Sequence, residues 1–455
     1  MPGWNWQGFL DVNETVEPAA RSLMAKINER LGKHASGQMV TVLAGHAARM
    51  TLGLASSVIL ARALGPIGLG TFAVAGAGIT IMATLADLGL NNTAVNFIGS
   101  RLHSRPAEAA ELGRMFAMLK GAAVLFLCAV LVSLESFWIG LLDLPADQGQ
   151  VLIWIAAGTL LVRAFSGVIS AYLQVHQHFN VLVLTQSLNA VLTLIIFGGL
   201  FGLGRLDATT ALVTGAATAA VGSILGLMRL PTSWLSALRT ARPGFRPHGP
   251  ALISFGKWIG LATGLIILYF QLDLLLVNRL APAASTGHYA LAFNLSMKAN
   301  VLVQTAHLVL LPLASRLTDR QGLQDYLRRS WRQMGAMSAL LLLALVPAAF
   351  FIELIYGIEF AASVTPFRLL SLIVVLDLLT MPIDLLAYPL NVPWATASTN
   401  AVRLLSLIGF ALVFIPALGL VGAAVAKIFA KGVSAVFMAV VIRRKAKSFG
   451  QTSHP

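Results

Sequence analysis

The chain has 455 residues, 57% of them hydrophobic and 11% charged, against about 25% charged in an ordinary soluble domain. That excludes a soluble globular protein, because hydrocarbon, unlike water, selects against charge at roughly 2.5 to 3.5 kcal/mol per ionised group. The formal net charge of +14 would point to nucleic acid in a soluble chain, so its distribution along the sequence matters more than its sum. The single Cys128 lies in an apolar run, which leaves no disulfide framework, thiolate metal site or redox chemistry to consider.

Residues 1–38 lack the apolar core of a signal peptide. Val16, Ala20, Leu23, Ile27 and Leu31 recur at helical spacing opposite Arg21, Lys26, Arg30 and Lys33. Two readings stand, an interfacial amphipathic helix on an anionic leaflet and a partly disordered tail. Beyond Lys33 the sequence predicts twelve apolar runs near 39–63, 68–97, 112–134, 151–173, 180–203, 209–230, 251–277, 285–313, 334–356, 363–390, 398–416 and 419–442. Each is long enough to cross about 30 Å of hydrocarbon as a helix, and none alternates as a barrel strand would. The expected fold is therefore an all-α polytopic membrane protein.

Twenty of the 32 Lys and Arg residues fall in segments on one side of this arrangement, including Arg101, Arg105, Arg114, Arg239, Arg328, Arg329 and Arg443 to Lys445. The opposite side holds Arg62, Arg205, Arg279 and Arg368 together with Glu135, Asp143, Asp147, Asp207, Glu353 and Glu359. The positive-inside rule then places both termini in the cytoplasm. Eight cations remain within or at the edges of spans: Arg49, Lys120, Arg163, Lys257, Lys298, Arg403, Lys427 and Lys431.

The sequence also repeats itself. Arg62, Gly70, Phe72 and Ala73 match Arg279, Gly287, Tyr289 and Ala290 at one offset, residues 100–105 recur as 315–320, and 187–191 as 398–402. Six spans per half place both halves in the membrane in the same sense, as lobes related by a pseudo-two-fold axis along the membrane normal. The expected organisation is a segment 1–38, a lobe 39–230, a basic linker 231–250, a second lobe 251–442 and a basic tail 443–455. Two lobes around a central cavity suit a transporter that rocks between two openings. An enzyme is disfavoured, because no HExxH or GxSxG motif is present and the connecting segments are short.

The turn Arg62…Leu64-Gly65-Pro66…Gly70…Phe72 and the following Ala86-Asp87-Leu88-Gly89-Leu90 resemble the N-terminal signature of bacterial polysaccharide-export flippases. These belong to the multidrug/oligosaccharidyl-lipid/polysaccharide exporter superfamily. The resemblance implies an inner-membrane protein that moves an undecaprenyl-diphosphate-linked oligosaccharide from the cytoplasmic to the periplasmic leaflet by alternating access. It also implies a coupling proton or sodium ion, membrane lipids as surroundings, and polysaccharide polymerase and chain-length machinery as partners, with no cofactor, metal or nucleic acid. A multidrug exporter on the same scaffold is the alternative; a lipid II flippase is disfavoured, since two further C-terminal spans typical of that branch are not seen.

A lipid diphosphate needs fixed cations facing a wet cavity. On span 1, His46 and Arg49 share a face with Gly45, Gly53, Ser56 and Ser57, and Arg49 is the first candidate for the diphosphate, its alternative being snorkelling to the interface. Span 8 carries Asn294, Lys298, Asn300 and Gln304; Lys298 is the second candidate, and the amides are candidates for sugar hydroxyls or for interhelical hydrogen bonds. The central cavity is expected from spans 1, 2, 7 and 8. Asp273, aligned with Ser56, should face it and pair with Arg62 or Arg279, or bind a coupling proton. Asp377 and Asp384 share a face of span 10 on either side of Pro382, as an ion site or as partners of Arg403 or Lys427. Asp87 is expected at the external side, in a gate pair with Arg62. Arg163 is read as packing. Prolines within the spans of the second half, among them Pro312, Pro347, Pro382, Pro389 and Pro416, and none in those of the first predict that the C-terminal lobe bends more.

Overall fold

A computed structural model describes residues 18–446 apart from 88, 145–147, 242–244, 316, 318–319 and 391. Side chains are described from residue 45 onward, save 46, 245–259, 320, 393 and 446. The amphipathic face expected within 1–38 and the side chain of His46 thus lie outside the described residues. In chain order the helices are α1 (Pro18–Asp87), α2 (Leu90–Gly99), α3 (Pro106–Ser133), α4 (Glu135–Leu142), α5 (Gly149–Val175), α6 (Phe179–Gly202), α7 (Ala208–Met228), α8 (Thr232–Thr240), α9 (Phe245–Leu280), α10 (Ala283–Ala314), α11 (Arg320–Ala344), α12 (Ala348–Tyr356), α13 (Val364–Asp384), α14 (Pro393–Leu418) and α15 (Leu420–Ala446).

Among the described residues, ten stretches are long and apolar enough to span. One of them, Ala47–Gly99, has 53 residues, about 80 Å at 1.5 Å per residue and far more than a bilayer accommodates. It breaks at Gly65, whose φ of 61° and ψ of −177° belong to a region essentially closed to residues with a Cβ; Pro66 then starts the next helix. Counting that stretch as two, and the bent pair α11–α12 (54° between them) as one more, gives twelve spans in two lobes of six, as expected.

The helix ends have local causes. Pro106 and Pro393 stand at first helical positions, where a missing N–H costs nothing. Asp207 accepts from the Thr210 backbone N–H at 2.7 Å while the Thr210 hydroxyl accepts from the Asp207 N–H at 2.9 Å, a capping box that starts α7. The N-terminal lobe packs Ile98, Leu112, Phe116, Tyr172 and Leu173 against Trp234 of α8, and Arg114 donates to the carbonyls of Arg239 and Ala241 at 2.7 Å each. The C-terminal lobe packs α9, α14 and α15 through Tyr269, Val277, Leu407, Ala423 and Ala426. Outward-facing Ile195, Leu343 and Val436 are each more than 60% exposed, as a lipid-facing surface requires.

Breaks occur in both lobes, so bending is not confined to the proline-bearing second half, which also carries short 3-10 segments at Ile358–Ser363 and Leu385–Ala387. Span 3 divides at Leu134 into α3 and α4, and span 9 divides at Pro347 into α11 and α12. These positions are equivalent in the internal repeat, so the bend belongs to the repeated fold and proline is only one way of making it. Span 2 also breaks, at Asp87 to Gly89, with Gly89 in the left-handed region. The face of the molecule bearing Gly65, α4 and α12 is termed the turn face, and the opposite one, bearing the basic segments, the basic face.

Candidate functional site: a cavity between two lobes

On the turn face the lobes are joined by a pair of equivalent contacts. Arg62, ending span 1, donates through Nε to the Ile355 carbonyl (2.9 Å) and through Nη2 to the Leu354 carbonyl (3.1 Å). These are carbonyls at the end of α12, where a helix favours positive charge. Arg279, ending span 7, reaches the end of α4 in the other lobe, donating to the Gly140 carbonyl at 3.4 Å and lying 3.5 Å from Asp143. Asn278 donates to the Leu142 carbonyl (2.7 Å), and the Ser57 and Tyr356 hydroxyls are 2.9 Å apart. Between them Gly287 lies against the Pro66 carbonyl, where any Cβ would overlap the backbone. The matched Arg62 and Arg279 thus each reach the turn-face half-helix of the opposite lobe's third span, Arg62 through two hydrogen bonds and Arg279 through longer contacts.

Four carboxylates within the spans meet lysines inside single lobes. Asp87 accepts from Lys120 Nζ at 2.7 Å, and Asn91 accepts from the same ammonium at 2.6 Å. This corrects the expected Asp87–Arg62 gate: Asp87 lies about 30 Å along the helix from Pro66, well away from the turn face. Asp273 is fully buried and accepts from Lys427 Nζ (2.5 Å) and from the Tyr289 hydroxyl; Lys427 also lies 4.6 Å from the Phe293 ring and 5.1 Å from that of Tyr269. It therefore neither faces the cavity nor meets Arg62 or Arg279, because the Asp273 side of span 7 packs into the C-terminal lobe. Asp377 pairs with Lys431 at 2.6 Å, and Asp384 lies 4.0 Å from the same nitrogen. The partner is Lys431 rather than Arg403 or Lys427; Arg403 donates to the Ser434 hydroxyl (3.1 Å) and stacks on Tyr269. Beside this cluster a cavity of about 200 Å³ is lined by Asp377, Asp384, His307, Arg403 and Asn400.

A cavity of about 330 Å³ opens between the lobes, lined by Thr80 of span 2, Arg163 of span 4, Gly215 of span 6, Gln271 of span 7 and Asn294 of span 8. A second, of about 280 Å³, continues from it through Thr80 and Arg163 to Asp87, Asn91 and Lys120. The expected set of spans 1, 2, 7 and 8 is thus corrected in part: spans 4 and 6 join the lining, and among the described residues span 1 contributes to neither of these two cavities. Arg163 is exposed into this space and donates to the Thr80 hydroxyl at 3.0 Å, with no carboxylate partner among the described residues. Lys298, one turn beyond Asn294, is half-buried and also has no carboxylate partner among the described residues; its ammonium lies beside Gly53. Arg49 stands one turn before Gly53 and donates to the Gly45 carbonyl at 3.2 Å. Asn300 is half-buried and Gln304 exposed, and neither lines these cavities.

Arg163 is a cavity-lining cation that sequence reasoning assigned to packing. Its available signal was a mid-span arginine with no acid at helical spacing, which packing against Ser166, Gly167 and Ser170 does not compensate.

This arrangement of two six-helix lobes also occurs in solved structures of membrane proteins. The chain superposes on an inward-facing multidrug resistance MATE family transporter of the MOP superfamily with a TM-score of 0.77 at 14% identity, covering 89% of this chain and 96% of that one. It superposes on the lipid II flippase MurJ, in an inward closed conformation, with a TM-score of 0.72 at 12% identity, covering 90% of each. A MOP superfamily transporter from Pyrococcus furiosus, described as having a binding pocket of reverse polarity that suggests a different function, gives 0.61 at 16% identity over 91% and 95%. No curated protein sequence matches the chain. Residues 37–318 match the family of polysaccharide biosynthesis proteins, and the chain belongs to that family.

Proposed function

We propose that this protein is a flippase for an undecaprenyl-diphosphate-linked oligosaccharide, carried from the cytoplasmic to the periplasmic leaflet of the bacterial inner membrane. The observation that carries this reading is Arg163, a cation without a carboxylate partner exposed into a cavity between two lobes at mid-span. A guanidinium in that position is costly unless an anion visits it, and its planar fork suits a phosphate bidentately. Lys298 and Arg49 extend the positive path along spans 1 and 8, while Asn294 and Gln271 offer hydrogen bonds to sugar hydroxyls. A drug exporter selecting organic cations would need carboxylates or aromatic faces there, and the nearby carboxylates are already matched by Lys120, Lys427 and Lys431.

In this reading the basic face is cytoplasmic, both termini lie on it, and the contacts of Arg62 and Arg279 keep the periplasmic side shut while substrate enters. Movement of the diphosphate onto Arg163 and then opening of the turn face complete the transfer. Ion coupling belongs to Asp377, Asp384 and Lys431, whose carboxylates reach the cavity shared with His307. Protonating either carboxylate weakens its hold on Lys431 and frees span 10 to move against span 12. The test is complementation of a deletion strain. Arg163→Ala should leave lipid-linked oligosaccharide in the cytoplasmic leaflet; export at the wild-type rate would overturn the assignment.

A further inference from the structure

Apart from the cavities above, an apolar chamber of about 390 Å³ lies in the seam between the lobes toward the turn face. Its walls include Ile79, Met82, Trp138, Leu152 and Ala156 of the N-terminal lobe and Leu275 of the C-terminal lobe, with the charged side chain of Arg279 at the mouth. The volume is within the roughly 300 to 1,000 Å³ range of small-molecule sites. From Leu152 to Leu160 along α5 the chamber is about 12 Å deep, close to the roughly 15 Å thickness of one hydrocarbon leaflet. Leu141, in its wall, is 54% exposed, which puts one side of the chamber on the lipid-facing surface.

The mouth carries a pair of opposite charges held loosely. Arg279 Nη1 lies 3.5 Å from Asp143 Oδ1 and donates to the Gly140 carbonyl at 3.4 Å, both beyond good hydrogen-bond length, and both side chains are more than half exposed. Asp143 ends α4 in the left-handed region (φ 49°), a conformation that aspartate tolerates better than most residues, and this holds its carboxylate at the rim. We propose that the chamber binds one acyl chain of a zwitterionic phospholipid bearing a primary ammonium, with its phosphate on Arg279 and its ammonium on Asp143. A purely anionic headgroup would meet the Asp143 carboxylate, and a quaternary ammonium would offer that carboxylate no N–H. Because the walls come from both lobes, the bound chain joins them across the seam and favours the closed turn face.

This site does not rest on the substrate proposed above, and its test reads lipid retention rather than transport. The full-length protein is delipidated in detergent and offered dioleoyl phosphatidylethanolamine, phosphatidylglycerol, phosphatidylcholine or a polyprenyl phosphate, and the retained lipid is counted by native mass spectrometry. The expected result is one retained phosphatidylethanolamine, with about tenfold preference over the other lipids from its charge-assisted hydrogen bonds. Ala156→Phe, filling the chamber, should abolish that retention, while Ile195→Phe on the lipid-facing surface should leave it. Asp143→Asn should keep the chain bound and remove the preference over phosphatidylglycerol. Equal retention of all lipids by the wild type, undiminished retention by Ala156→Phe, an unchanged preference in Asp143→Asn, or preference for polyprenyl phosphate would each overturn the proposal.

Discussion

Arg163 and Lys298 differ from Lys120, Lys427 and Lys431 in one respect: no carboxylate answers them among the described residues. In the proposed function the distinction separates cations that hold a lobe together from cations open to a passing anion, and it predicts opposite phenotypes. Arg163→Ala should leave folding intact and lower flipping by about 10- to 100-fold, the value of one or two hydrogen bonds to a charged group, with Arg163→Lys restoring part of it; in vivo flipping assays against melting temperature check this. Lys427→Ala should instead destabilise the protein by about 3–5 kcal/mol, because it strands the buried Asp273. The double change Asp273→Leu with Lys427→Met should recover most of that loss in thermal unfolding in detergent, since an apolar pair of similar volume removes both charges. At this scale the sequence was a partial guide. Insertion cost singled out the right residue types, but Asp87 meets Lys120 across 33 residues and Asp273 meets Lys427 across 154, and no local spacing encodes such pairings. Arg62 was assigned to Asp87 because the two are near in sequence, whereas its partners are backbone carbonyls almost 300 residues away.

The bends within the spans follow the internal repeat rather than the prolines. Pro347 marks the α11–α12 bend visibly, but its counterpart at Leu134 carries no helix-breaking residue, so the symmetry of spans 3 and 9 was hidden from a count of prolines. The matched Arg62 and Arg279 were legible as repeat partners long before their common role, reaching α12 and α4 of the opposite lobe, was evident. Removing both, Arg62→Ala with Arg279→Ala, should favour separation of the lobes on the turn face. In a Cys128→Ser background, a cysteine placed at Ser57 should then react several-fold faster with an impermeant maleimide added to intact spheroplasts. Each single variant should show a smaller increase, because the other contact persists. Gly287→Ala should act in the same direction, as its Cβ would push the Pro66 carbonyl away.

Across the whole molecule, twelve spans and their division into two lobes were readable from hydropathy and from three internal matches, since these depend only on what lipid tolerates. The lining of the cavity was not. Span 1 looked the most polar, yet among the described residues spans 4 and 6 line the interlobe space in its place, a matter of how helices rotate against one another that polarity alone does not determine. The central claim is that this space conducts an anionic lipid diphosphate past Arg163 and Lys298. Its most direct test is reconstitution of the purified protein into proteoliposomes with a fluorescent polyprenyl-diphosphate-linked oligosaccharide, followed by the rate at which the sugar reaches the opposite leaflet. The account predicts protein-dependent transfer that falls at least tenfold in Arg163→Ala with Lys298→Ala, and no transport of organic cations by the same vesicles. Transfer undiminished in that double variant, or uptake of organic cations in place of the lipid, would contradict it.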